Sequence, residues 1–169
     1  MRLSLATRAL VAAGSLLLAG TAFAQAQRLD DSASPRNRVA AQVVMDDNGR
    51  PLEASPFAES AQIRFGRIEY RLATAAYVGR QVRITYVVPN PIPGLRSADA
   101  LRVEWRGQPP LASGSARPGD HVPVWTGRIA EAWTELALDL SARVDLRQLD
   151  LRASEPLAFE CHFEIEILR

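Results

Sequence analysis

The sequence predicts an all-β protein: a single antiparallel β-sandwich, Ig-like in general shape, behind a cleaved signal peptide. Three observations predict it. Apolar and polar residues alternate with period two in one stretch after another. Clusters of Gly, Pro, Asn and Asp separate those stretches. No apolar stripe at three-four spacing follows the N-terminal segment, apart from a weak hint between Ile129 and Leu136. Roughly six to eight short strands with turns at intervals suit a sandwich first and a barrel second.

The chain opens with the three parts of a secretory address in order. Arg2 and Arg8 supply positive charge, Ala9 to Gly20 an apolar run, and Ala22-Phe23-Ala24 a small-residue cleavage site, which puts the cut before Gln25. The overlapping Ala24-Gln25-Ala26 offers a second cut. The apolar run is too short for a membrane span, and Thr21 stands where a lipoprotein would need Cys. Residues 1–24 are therefore read as signal peptide. Residues 25–38 are polar, with Ser and Pro, and read as a disordered leader. Residues 39–169 are read as the sandwich domain.

Within that domain Val39 to Met45 suits a first strand, and Asn48-Gly49 marks a turn. Ile63 and Phe65 share one face; Ile68, Tyr70 and Leu72 share one face. The parity shifts between the two groups at Gly66, which predicts a bulge or a break. Val82, Ile84, Tyr86 and Val88 alternate next, ending at the proline-rich stretch 89–94. Leu101, Val103 and Trp105 follow, then a long loop from Gly107 to Asp120. Val122 to Ile129 and Leu136 to Leu140 read as strands, and Val144 to Leu151 fits either a strand or a short helix. In the last segment Leu157, Phe159, Cys161, Phe163, Ile165 and Ile167 hold one parity. Glu160, His162, Glu164 and Glu166 hold the other.

Composition narrows the function classes. Without the first 24 residues, 18 Arg face 19 Asp plus Glu, and there is no Lys. A near-neutral domain argues against nucleic acid and anionic membrane as general partners. No later segment reads as a transmembrane anchor. Cys161 is the only cysteine, so no internal disulfide is possible and the core must hold the domain. It is expected buried, with intermolecular pairing the alternative.

Few patterns point to chemistry. His121 and His162 lie in separate segments. Zinc could recruit His162 with Glu160 or Glu164, but no further ligands stand at a recognisable spacing. Asp46, Asn48 and Gly49 match part of a calcium loop, but Val44 and Ser55 occupy its first and last positions. No nucleophile elbow, phosphate loop or dinucleotide fingerprint occurs. Cys161 and His162 point to opposite faces and cannot act as a dyad. Asp120-His121 with Ser113 or Ser115 is the one conceivable triad. No metal or cofactor is expected.

The acidic parity of the last strand predicts an Arg-bearing neighbour, because carboxylates spaced along one face repel each other. Trp105 shares parity with Leu101 and Val103 and is expected in the core. Trp125, on the parity opposite Val122 and Val124, is the expected exposed aromatic, and exposed indoles can stack on sugar rings.

These readings lead to an exported, non-enzymatic binding or structural module of a Gram-negative type envelope, periplasmic or secreted. Its partner would be an envelope protein or a glycan. The recognition loops are expected at 89–99 and 107–121, with Pro109, Pro110, Asp120, His121 and Trp125 as contacts. A subunit of a pilus or secretion apparatus is the second class, and a small secreted hydrolase the third. Strand-exchanging subunits need an N-terminal segment of alternating apolar residues, which residues 25–38 lack.

Overall fold

The computed structural model describes residues 26–35, 40–150 and 158–168, so the expected signal peptide lies outside the described residues. Among the described residues nine strands form two antiparallel sheets: β1 Gln27–Arg28, β2 Val43–Met45, β3 Ser60–Ala73, β4 Gln81–Val87, β5 Leu101–Gly107, β6 Gly114–Ala116, β7 His121–Arg128, β8 Trp133–Asp145 and β9 His162–Ile167. One sheet has the order β1-β9-β4-β7, the other β2-β3-β8-β5-β6. The sheets pack face to face and do not close into a barrel. Short 3-10 turns occur, and there is no α-helix among the described residues.

The expected sandwich is therefore present. From β3 onward the chain changes sheet at every connection except β5 to β6. With β2 set aside as an extra edge strand, this is the strand order of a jelly roll, not the ABED/CFG order of an immunoglobulin domain.

Alternation builds the core. Val82, Ile84 and Tyr86 of β4 and Phe163 and Ile165 of β9 face Ile68, Leu72, Val103, Trp105 and Leu138 from the other sheet, all essentially buried. Phe163 packs edge-on against Tyr70 at 4.8 Å and lies 5.2 Å from Tyr86. Tyr86 meets Trp105 at 5.1 Å. The Trp105 indole N–H donates to the Ala112 carbonyl at 3.0 Å, so its polar atom is satisfied.

Gly66 is where the β3 register shifts against β8, with φ at 77°. That backbone is open to glycine at no steric cost, and the strand runs through the bulge unbroken. Asn48-Gly49 forms its turn, with the Gly49 N–H donating to the Asp46 carbonyl at 3.0 Å.

Four segments differ from expectation. Part of the leader read as disordered is ordered: Gln27 and Arg28 pair with Ile165 and Glu164 on the open edge of β9. Leu29 then buries its side chain and donates its N–H to the Phe163 carbonyl at 2.8 Å. One leucine among polar residues was enough, because the core offered it a site. The long loop contains β6, which pairs with β5. The Ile129–Leu136 hint is no helix, since β8 starts at Trp133. Strand β9 starts at His162, after Phe159 and Cys161; Leu157 lies outside the described residues. The ambiguous segment is strand to Asp145 and then a 3-10 turn over Leu146–Gln148.

Candidate functional site

The five-stranded sheet presents a trough on its outer face, and side-chain size creates it. β8 is the central strand. Its outward parity carries the small residues Ala137 and Ser141 on either side of Asp139. The flanking strands carry long side chains on the same face: Arg64, Arg67, Glu69 and Arg71 on β3, and Arg102, Glu104 and Arg106 on β5. Register sets Ser141 between Arg64 and Glu104, and Asp139 between Arg67 and Arg106. Around Ser141 and Asp139 this face holds a groove of 820 Å³ that draws its lining from all five strands, from Met45 of β2 over Arg64, Glu104 and Arg106 to Ser115 of β6.

Arg64, Glu104, Arg106 and Asp139 make no ion pair among the described residues. This differs from the basin of 340 Å³ that continues the trough at the Asp145 end of β8. There the charges are spent on each other: Arg117 to Asp99 at 2.6 Å, Arg143 to Asp47 at 2.9 Å, and Arg147 to Glu59 at 3.1 Å and to Asp145 at 3.0 Å. The groove therefore holds uncommitted donors and acceptors in alternation, mounted on strands rather than loops.

The contacts expected from sequence do not form one site. β5 ends at Gly107 and β7 begins at His121, at opposite ends of the sandwich. Pro109 and Pro110 are exposed in the turn after β5, remote from Asp120 and His121. Asp120 accepts from the Arg117 N–H at 2.8 Å, closing its own turn. Trp125 corrects the parity reading. A bulge in β7 pairs Ile84 with Trp125 and Thr85 with Pro123, leaving Val124 as the extra residue. The bulge turns Trp125 to the core side, where it is half-buried. Gly127 leaves room for its ring; a Cβ there would approach it to 2.6 Å. The exposed indole is Trp133 instead, 40% exposed, with the Arg71 guanidinium 5.0 Å from its ring centre.

On the outer face of the other sheet, the carboxylates of the C-terminal segment find cationic neighbours. Glu166 lies opposite Arg83 of β4, at 3.5 Å, and Glu160 pairs with Arg28 at 2.6 Å. Both histidines converge on Glu164: His121 Nδ1 at 3.0 Å and His162 Nε2 at 3.6 Å. His121 is thus directed at β9, not at Asp120, and the Ser113 hydroxyl accepts from the Gly107 N–H at 3.1 Å. The conceivable Ser-His-Asp set is not assembled. No group of three ligand side chains among the described residues is arranged to hold a metal ion.

Asp46 is a structural carboxylate. The Ser55 hydroxyl donates to it at 2.7 Å, and the Asn48 and Arg50 N–H groups each donate at 2.9 Å. These bonds, that of Ser55 foremost, hold its carboxyl well below the usual range. Cys161 is half-buried, and burial pushes its thiol up to about 11, which suits an inert side chain.

The charged parity of β3 and β5 is visible in the sequence as Arg67, Glu69 and Arg71 and as Arg102, Glu104 and Arg106. The missing signal was the small-residue floor of β8, legible only once β8 was known to lie between them. No family model, curated protein or solved structure matches the chain, and no helix among the described residues is long and apolar enough to cross a membrane.

Proposed function

We propose that this protein is an exported, non-enzymatic binding module of the bacterial envelope whose recognition surface is the outer face of the five-stranded sheet, and that its ligand is a glycan. One observation carries the reading: Arg64, Glu104, Arg106 and Asp139 line a groove of 820 Å³ without pairing among the described residues. These side chains are exposed, and a ligand that both donates and accepts hydrogen bonds can take the place of their water. Sugar hydroxyls do both, and the guanidinium fork and carboxylate match vicinal hydroxyls in spacing. The volume lies within the range of small-molecule sites, and the rigid strands lower the ordering cost of binding. Export rests on the N-terminal address, and periplasm or secretion is its consequence.

The test is binding of the chain beginning at Gln25 to a soluble oligosaccharide panel, with Arg106→Ala/Asp139→Ala and His121→Ala as variants. Retention by the wild type, loss in the double variant and no effect of His121→Ala support the groove. Loss in His121→Ala alone returns the site to the loops. No binding to any glycan of the panel overturns the reading.

A further inference from the structure

We infer that the trough takes a chain of sugars, not a single one, with Trp133 as the stacking platform for its far end; this rests on the groove reading above. Three tryptophans occur. Trp105 is buried and Trp125 half-buried, each with a place in the packing. Trp133 is exposed at the first position of the central strand β8, on the same outward parity as Ala137, Asp139 and Ser141. Its cross-strand neighbour is Ala73, too small to cover it. The Arg71 guanidinium 5.0 Å from the ring centre fixes the indole from one side. The result is a pinned, partly bare aromatic surface on the same strand face as Asp139 and Ser141 of the groove.

Geometry sets the ligand length. Strand rise places Trp133 about 20 Å from Asp139 and about 27 Å from Ser141. Between them Glu135 and Ala137 stand on the same outward parity, so the path passes one exposed carboxylate. A disaccharide in the groove ends short of the indole, whereas a hexasaccharide spans both. The C–H face of a pyranose ring is apolar and suits stacking on an indole, while its hydroxyls stay free for the walls.

The experiment is calorimetric titration of the chain beginning at Gln25 with chitin, cellulose, xylan and alginate oligomers, each as disaccharide and hexasaccharide. One hexasaccharide is expected to bind at least about tenfold tighter than its disaccharide. Trp133→Ala is expected to reduce the hexasaccharide to disaccharide affinity, Trp133→Phe to restore most of it, and neither to change disaccharide binding. Circular dichroism confirms that both variants fold. Equal affinity for the two lengths, or a hexasaccharide indifferent to Trp133→Ala, overturns this inference and leaves the groove standing. Absence of binding by every oligomer overturns the groove reading itself.

Discussion

Replacing Leu29 by Ala separates an ordered first strand from a dispensable leader. Leu29 is 4% exposed and packs into the main apolar cluster. Removing a buried leucine side chain usually costs about 2–5 kcal/mol, including the cavity left behind. Here the upper end is out of reach, because β1 sits at a sheet edge and can peel away instead of spanning a void. Its other attachments are the short pairing with β9, the Leu29 N–H to Phe163, the Ala73 N–H to the Asp30 carbonyl at 2.9 Å, the Arg71 N–H to the Ser34 hydroxyl at 3.0 Å and the Tyr77 hydroxyl to Gln27 at 2.7 Å. The Arg28–Glu160 pair is 56% and 79% exposed and adds little. Leu29→Ala should therefore destabilise by about 2–3 kcal/mol. That corresponds to roughly 6–9 °C in melting temperature at this domain size. Urea unfolding of the chain beginning at Gln25 measures it, and faster exchange of the Ala73 amide should accompany it. A loss below about 0.5 kcal/mol, the size of an ordinary surface change, would refute the burial of Leu29 and return this segment to a disordered leader.

Further outcomes follow from single residues. Asp46→Asn should lower the urea midpoint at neutral pH. The folded carboxyl sits below its ordinary value of 3.8, so its contribution is present above that pH and is lost as pH falls below it. The wild type and Asp46→Asn midpoints should therefore converge on acidification, and a constant gap down to strong acid would contradict the assignment. Cys161, with its thiol pushed up to about 11 by burial, should react slowly with iodoacetamide at neutral pH and at the ordinary rate in urea; equal rates would show an exposed thiol. Gly66→Ala should cost about 1–2 kcal/mol by denaturation, because a left-handed backbone is disfavoured for any residue with a Cβ. The nearby Gln42 side chain, 2.8 Å from that Cβ, is flexible and can move aside. A neutral Gly66→Ala would mean that the bulge relaxes.

Local alternation made the sandwich legible. Val82 to Val88 and Leu101 to Trp105 each show their faces within a few residues, and the parity shift at Gly66 marks the bulge. What stayed hidden depends on partners distant in sequence. Leu29 looks like one apolar residue in a polar run until β9 offers it the core. Trp125 changes side because its bulge is defined against β4 and leaves no glycine signature at the shifted position. The groove needs β3, β8 and β5 side by side, and residue spacing does not state that order. His121 reaches Glu164 for the same reason, since β7 and β9 lie on either side of β4, whereas His162 stands two residues from Glu164 on one strand.

The position of β9 also governs when the domain can form. The last of the described strands lies between β1 and β4, and its Ile165 pairs with Gln27 of β1. During synthesis every other described strand must emerge before that sheet acquires its middle. Such distant pairings close slowly. In a nascent chain β1 and β4 therefore wait, without the strand that joins them, until β9 has emerged.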